Sequence, residues 1–180
     1  MDKHEIRLSG SGGQGLLLSG IILAEAAIYD GKNAIQTQSY GPEARGGASK
    51  SEVIISDDDI DFPKVRDCGI LLALTQKSYD QYNSGLEKDG VLILDDSVEY
   101  KEGEVKTYSV PIIDTAVNKI GKPMVTNIVA LGVVVAITSI VSRESLEKAV
   151  LSRVPKGTEE LNKKALLAGF EIGEEALNSK

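Results

Sequence analysis

At 180 residues, with 42% hydrophobic and 26% charged residues, the chain is sized for one domain with a substantial core. A formal charge of −7, 4% aromatics and no Trp exclude ordinary nucleic-acid binding, which needs a basic face and stacking platforms. The single cysteine, Cys68, and the single histidine, His4, cannot supply a disulfide, an iron–sulfur cluster or a structural zinc site. If the protein serves redox chemistry, its metal centres belong to other chains.

In chain order, KHEIRLS (3–9) reads as a short strand and runs directly into GSGGQG. LLLSGIILAEAAIYDG follows as a helix apolar around most of its circumference, hence covered on more than one side, with Gly31 as its C-terminal cap. NAIQTQ (33–38) is a second strand and ASKSEVIIS (48–56) a third. Between them lies SYGPEARGGAS (39–49), too long for a plain hairpin turn and carrying Glu43 and Arg45 among its glycines. DDDID and Pro63 then break the pattern. CGILLALT and VLILDD (91–96) are continuous apolar strands of the kind buried on both faces, separated by a helical segment closed by Gly90. VKTYSVPI is a shorter strand ending at Pro111.

From Pro123 the pattern turns helical, over 126–141, 143–152 and 158–178. The uncharged run Met124–Ser142 contains Thr126, Asn127, Gly132, Thr138 and Ser139, which fits a helix buried between protein layers better than a membrane span. No secretory signal is visible, and a cytoplasmic location without membrane attachment is expected. Strands alternating with helices predict an α/β fold: a Rossmann-like three-layer sandwich with a mostly parallel sheet, helices on both faces and a helical C-terminal part. With no linker or repeat, residues 1–180 are expected to form a single domain.

Gly10, Gly12 and Gly15 have the G-x-G-x-x-G spacing between a strand and a helix, where glycines let the backbone approach an anionic group at the helix N-terminus. A dinucleotide site also wants an acidic residue at the end of the second strand, but Gln36, Thr37 and Gln38 stand there, and Asp30 comes too early. The glycines therefore serve another anion, a partner's backbone, or only a tight turn. The loop after strand two can lie on the same rim, where Arg45 beside Gly46 and Gly47 could meet a phosphate or carboxylate, or could simply pair with Glu43 on the surface. Asn127, where the apolar helix begins, can cap that helix and brace the rim. Asp57, Asp58 and Asp59 read as a solvated turn, Asp95 and Asp96 end a buried strand near the rim, and Cys68 reads as a buried small residue.

GSGGQG opening the first helix, QSYGPEARGGASKSEV after the second strand, TNIVALG opening the apolar helix and the closing NKKALLAGFEIG together resemble the gamma subunit of the 2-oxoacid:ferredoxin oxidoreductases, over roughly residues 5 to 175. The loop spelling Pro42-Glu43-Ala44-Arg45 is most similar to the 2-oxoglutarate type. The resemblance implies a subunit of a complex that oxidatively decarboxylates a 2-oxoacid to an acyl-CoA, succinyl-CoA for 2-oxoglutarate, and passes electrons to ferredoxin. Pyruvate- and branched-chain-type complexes, and a stand-alone nucleotide-binding module, remain as alternatives. It implies thiamine diphosphate and iron–sulfur clusters in alpha, beta and delta-type partner subunits. This chain, without a catalytic residue or metal ligand of its own, would contribute to a shared coenzyme A site. The residues expected there are Gly12, Gly13, Gln14, Gly15, Ser39, Tyr40, Gly41, Glu43, Arg45, Gly46 and Gly47. Homodimerisation of the isolated chain is left open.

Overall fold

The computed structural model describes residues 2–38 and 47–180. Its strands are β1 (Lys3–Ser11), β2 (Asn33–Gln38), β3 (Ala48–Ser56), β4 (Cys68–Ala73), β5 (Leu86–Asp95) and β6 (Lys106–Val110). Its helices are α1 (Leu16–Tyr29), α2 (Gln76–Tyr82), α3 (Ile112–Asp114, continuing as a π turn over Thr115–Ile120), α4 (Thr126–Thr138), α5 (Arg143–Arg153) and α6 (Glu159–Asn178).

The strands form one sheet in the order β2-β3-β1-β4-β5-β6. β1, β4, β5 and β6 pair in parallel, whereas β3 runs antiparallel to both neighbours. The sheet is mostly parallel, as expected, with one reversed strand inserted between β1 and β2. Alternation along the strands divides the core. Ile6, Leu8, Val53, Ile55, Ile70, Leu72 and Ile93 face α1 and the C-terminal helices. Leu71, Ala73, Leu92 and Leu94 face Tyr82 of α2 on the other side. Helices therefore cover both faces, though unequally.

α4 is buried over residues 126–136, which bears out its reading as an interior helix. Its closest neighbour is α6, and the contact is glycine against glycine: a Cβ on Gly169 would lie 2.2 Å from the Val129 carbonyl oxygen, and one on Gly132 would lie 2.6 Å from that of Leu166. Among the described residues no helix is long and apolar enough to cross a membrane.

Three boundaries differ from expectation. β1 extends to Ser11, so Gly10 belongs to the strand rather than to the turn. Gly90 does not close a helix; it lies buried inside β5, which begins at Leu86. The charged stretch Glu87, Lys88 and Asp89 stays exposed there, and the ladder with β4 shifts register between Cys68 and Ile70. The helical segment 112–120 had no periodic apolar signal, because only Ile112, Thr115 and Ala116 of it are buried.

Candidate functional site

β1 and β4 are adjacent and parallel, but their chains leave in opposite directions. β1 feeds α1 on one face and β4 feeds α2 on the other, so the carboxyl end of β1 is a topological switch point. The glycine turn occupies it. The ends of the neighbouring hairpin reach the same rim, since Ala48 pairs with Ser11 and Gln38 with Ser51.

Within the turn, the Gln14 side chain folds back so that its Oε1 accepts from Ser11 N at 2.8 Å. A Cβ on Gly10 would lie 2.3 Å from that oxygen. Gly12, Gly13 and Gly15 are exposed. Gly15 is the N-cap of α1 in a left-handed conformation (φ 74°), its first turn carries no acid, and among the described residues no side chain caps it. Among the described residues, the amides that begin α1 thus have neither an intrahelical partner nor a side-chain cap.

Gly15 is held from behind. Its carbonyl accepts from Ser19 N at 3.1 Å, Ser19 Oγ at 3.2 Å and Asn127 Nδ2 at 3.2 Å. Asn127 therefore does not cap α4, whose N-cap is Val125. It sits two positions too deep in the helix for that role, and its amide reaches across to brace the turn instead. A Cβ on Gly15 would approach Asn127 Nδ2 to 2.5 Å, so the close contact itself requires glycine. Beside the brace lies a cavity of about 270 Å³, bounded by Leu18, Met124, Val125, Ile128, Val154 and Leu161 with Asn127 and Asn162.

The family model described as "Pyruvate ferredoxin/flavodoxin oxidoreductase" matches residues 5–172. The chain belongs to this family. A relative named 2-oxoglutarate synthase subunit KorC, from Methanocaldococcus jannaschii, is 52% identical over 178 residues, covering 96% of this chain and 95% of its own. The crystal structure of a keto/oxoacid ferredoxin oxidoreductase gamma subunit from Geobacter sulfurreducens superposes with a TM-score of 0.91 at 54% identity, covering 98% and 99% of the two chains. At 19% identity, a 2-oxoglutarate:ferredoxin oxidoreductase from Magnetococcus marinus, solved with 2-oxoglutarate, coenzyme A and succinyl-CoA bound, shares the fold (TM-score 0.84) over all of this chain and 32% of its own. The resemblance to gamma subunits of 2-oxoacid:ferredoxin oxidoreductases, carried in the sequence by the two glycine loops, holds.

In this member of the oxidoreductase family, Gly12, Gly13, Gln14 and Gly15 lie together on the rim, and Gly47 precedes the Ala48 that pairs with Ser11. Ser39, Tyr40, Gly41, Glu43, Arg45 and Gly46 lie outside the described residues. Asp30 is no ribose ligand: its carboxylate accepts from Ser142 N, Ser142 Oγ and Ser145 Oγ, at the opposite end of α1. Asp95 is buried, accepting from Ser97 N and Oγ and from Ile113 N. The carboxyl of its exposed neighbour Asp96 is raised by partial desolvation and by repulsion from Asp95 and Asp114. Asp57 pairs with Lys32 at 3.4 Å, beside the start of β2. Cys68 is buried, and burial pushes its thiol up to about 11, so it behaves as a small core residue. Among the described residues no three His, Cys, Asp or Glu side chains cluster as metal ligands.

Sequence reasoning missed Asn162. The available signal was an amide on the apolar stripe of α6, three positions before Ala165 and four before Leu166.

Proposed function

We propose that this chain is the gamma subunit of a coenzyme A-dependent 2-oxoglutarate:ferredoxin oxidoreductase, converting 2-oxoglutarate and coenzyme A to succinyl-CoA and CO2 with electrons passed to ferredoxin. Thiamine diphosphate and the iron–sulfur clusters belong to alpha, beta and delta-type partners in the cytoplasm. The substrate assignment follows the 52% identical relative and the Pro42-Glu43-Ala44-Arg45 spelling of the loop. This chain supplies no catalytic residue. It supplies a rim for coenzyme A, from the glycine turn and from Ser39, Tyr40, Gly41, Glu43, Arg45, Gly46 and Gly47.

The observation that carries the reading is the N-terminus of α1 at the switch point, uncapped among the described residues, on the rim where the β2–β3 hairpin also ends. Such a terminus favours anions, and an arginine in the adjoining loop suits a phosphate. Co-expression with the partner subunits and assay of acyl-CoA formation against several 2-oxoacids tests the substrate, with 2-oxoglutarate expected to give the highest kcat/KM. In the same complex Arg45→Ala should raise the KM for coenzyme A about tenfold, the loss expected for one charge-assisted contact. Unchanged kinetics with weakened assembly would assign Arg45 to a subunit contact instead.

A further inference from the structure

We propose that a second copy of this chain docks on the open edge of the sheet, β2 pairing with β2 in antiparallel fashion and the two α1 helices packing side by side above the seam. The inference rests on the fold alone and needs no assignment of substrate or cofactor. The two edges of the sheet are finished differently. α6 packs against β6, and the Lys180 side chain donates to the Thr107 carbonyl. Among the described residues nothing of that kind covers the edge of β2. Its sequence NAIQTQ has no charge and no proline, it pairs with β3 in unbroken register over Asn33–Gln38, and none of its residues is buried. A charge, a proline or a bulge is the usual guard against further pairing at an edge, and β2 carries none of them.

The ladder shows which backbone groups point outward. Asp57 N bonds to Asp2 O directly opposite it, one step beyond the Lys3–Ser56 pair. The odd-numbered residues of β3 therefore turn their N–H and C=O towards β1, and the even-numbered ones towards β2. In β2 the partners of Ser56, Ile54 and Glu52 are Asn33, Ile35 and Thr37, so Ala34 and Gln36 point out of the sheet. Among the described residues no bond outside the ladder reaches the backbone of either. Setting Ala34 against Gln36 of a second copy uses all of these groups and satisfies a two-fold axis. It places Ile35 opposite itself in a non-hydrogen-bonded pair, Cα atoms about 4.5 Å apart, flanked by Asn33 opposite Thr37. No like charges meet, because the stretch has none.

An apolar stripe on α1 points to the same occupant. Leu17, Ile21 and Ile28 share one line of the helix, Leu17 being 42% and Ile28 58% exposed. A Cβ on Gly20 would lie 2.0 Å from Ser51 Oγ and 3.2 Å from Gln36 Cγ, so that side of α1 rests on β2 and β3. Leu16, about 40° round the helix from Gly20, reaches Gly10 of β1, whose Cβ would lie 3.2 Å from Leu16 Cδ1. The stripe stands about 60–100° from Gly20 in the opposite sense, away from β1 and out over the β2 edge. With α1 over β2 and β3 together, two copies joined at β2 bring their α1 axes to about 10 Å, the separation of packed helices. A lone strand from another protein would fill the edge and leave Leu17 and Ile28 in water. A second copy covers both features with the same two features.

The test uses the full chain, whose mass by sedimentation equilibrium should be that of two copies. Ile35→Cys should become a disulfide-linked dimer on mild oxidation, because the opposed Cα atoms fall within the span of a disulfide. Ser109→Cys, exposed on β6 at the other edge, should stay unlinked. The chain's own Cys68 is buried with its thiol raised to about 11 and does not take part. Ile28→Lys, at an exposed position, should raise the dimer Kd about tenfold with the circular dichroism unchanged, since it sets a charge in an apolar seam. Ala34→Pro removes an outward N–H and no ladder bond, and should weaken the dimer as well. A single-chain mass at every concentration would overturn the proposal. So would a dimer in which Ile35→Cys does not link, or one indifferent to both Ile28→Lys and Ala34→Pro.

Discussion

The two ends of α1 are held by opposite means. At the C-terminal end the Asp30 carboxylate takes hydrogen bonds of 2.6, 2.7 and 2.6 Å from Ser142 N, Ser142 Oγ and Ser145 Oγ, so the end of one helix caps the start of α5. The backbone closes as well, with Gly31 N bonded to Ile28 O and Lys32 N to Ala27 O. At the N-terminal end only the acceptor is secured. The Gly15 carbonyl has three donors while the amides beyond it have no side-chain cap among the described residues. One end is closed by side chains and serves the fold. The other is fixed in position yet left open to an incoming acceptor, the arrangement a preorganised binding site requires.

The sharpest way to break this contrast is Gly15→Ala. Residue 15 would have to keep φ at 74° with a Cβ pressed to 2.5 Å from Asn127 Nδ2. The left-handed conformation costs about 1–2 kcal/mol, and displacing a packed side chain about as much again. A loss of about 3 kcal/mol in urea-unfolding stability is expected, together with weaker coenzyme A binding. A variant as stable as wild type would mean that the brace from Asn127 does not hold the turn.

At the other end Asp30→Ala should lower stability by about 2 kcal/mol, the effect of removing a cap that serves several donors, with no change in the KM for coenzyme A. Burial pulls the Asp30 carboxyl up, but hydrogen bonds from Ser145 and Ser142 outweigh it and hold the group below its usual value of 3.8. A carboxyl depressed in the folded state contributes stability that is full above its unfolded value and is lost as pH falls through the folded one. The gap between wild type and Asp30→Asn should therefore be level from neutrality to about pH 5 and narrow at lower pH. A gap that widened on acidification would show that the ionised carboxylate is not the stabilising form.

This asymmetry was half legible in the sequence. GSGGQG between a strand and a helix marked the open end, because glycine spacing is local. Nothing local tied Asp30 to Ser142, 112 positions away, and Asp30 drew notice only as a misplaced ribose ligand. The apolar runs of β4 and β5 and the buried α4 could be read from composition alone, since a segment covered all round must be apolar all round. The reversal of β3 was not read, because nothing within ASKSEVIIS marks its direction; the shortness of the connection from Gln38 to Ala48, below the dozen or so residues a parallel crossover needs, was the available signal. The brace expected of Asn127 is there, but the cap is not, by a matter of register: capping depends on where helical dihedrals begin, and that boundary is set by Pro123–Val125, a 3₁₀ turn that enters α4 without a break. Asn162 and Val154 meet Gly15 only through the packing of α4, α5 and α6, which no spacing rule encodes.

The smallest expected effect sharpens the closed end. Arg153 of α5 pairs with Glu25 of α1, and Glu25 also accepts from Tyr29 at 2.7 Å and Ser152 at 3.2 Å. Burial raises the Glu25 carboxyl, but bonds from Arg153, Tyr29 and Ser152 overcome it and hold the group low. On geometry alone this cluster resembles the one at Asp30. Both clusters are partly exposed, and the donors separate them: Arg153 is a charge that is 50% exposed and shared with water, whereas Asp30 takes a backbone N–H and two hydroxyls at the start of α5. Arg153→Ala should therefore change stability by no more than about 0.5 kcal/mol, and that difference should vanish in molar salt. The bonds Asp30 receives come from neutral hydroxyls and an amide, which salt does not screen, so its variant should keep its full effect there. If Arg153→Ala equals Asp30→Ala in size, or resists salt, α5 is anchored to α1 along its length, and the Asp30 cap is one contact among several rather than the closure of that end.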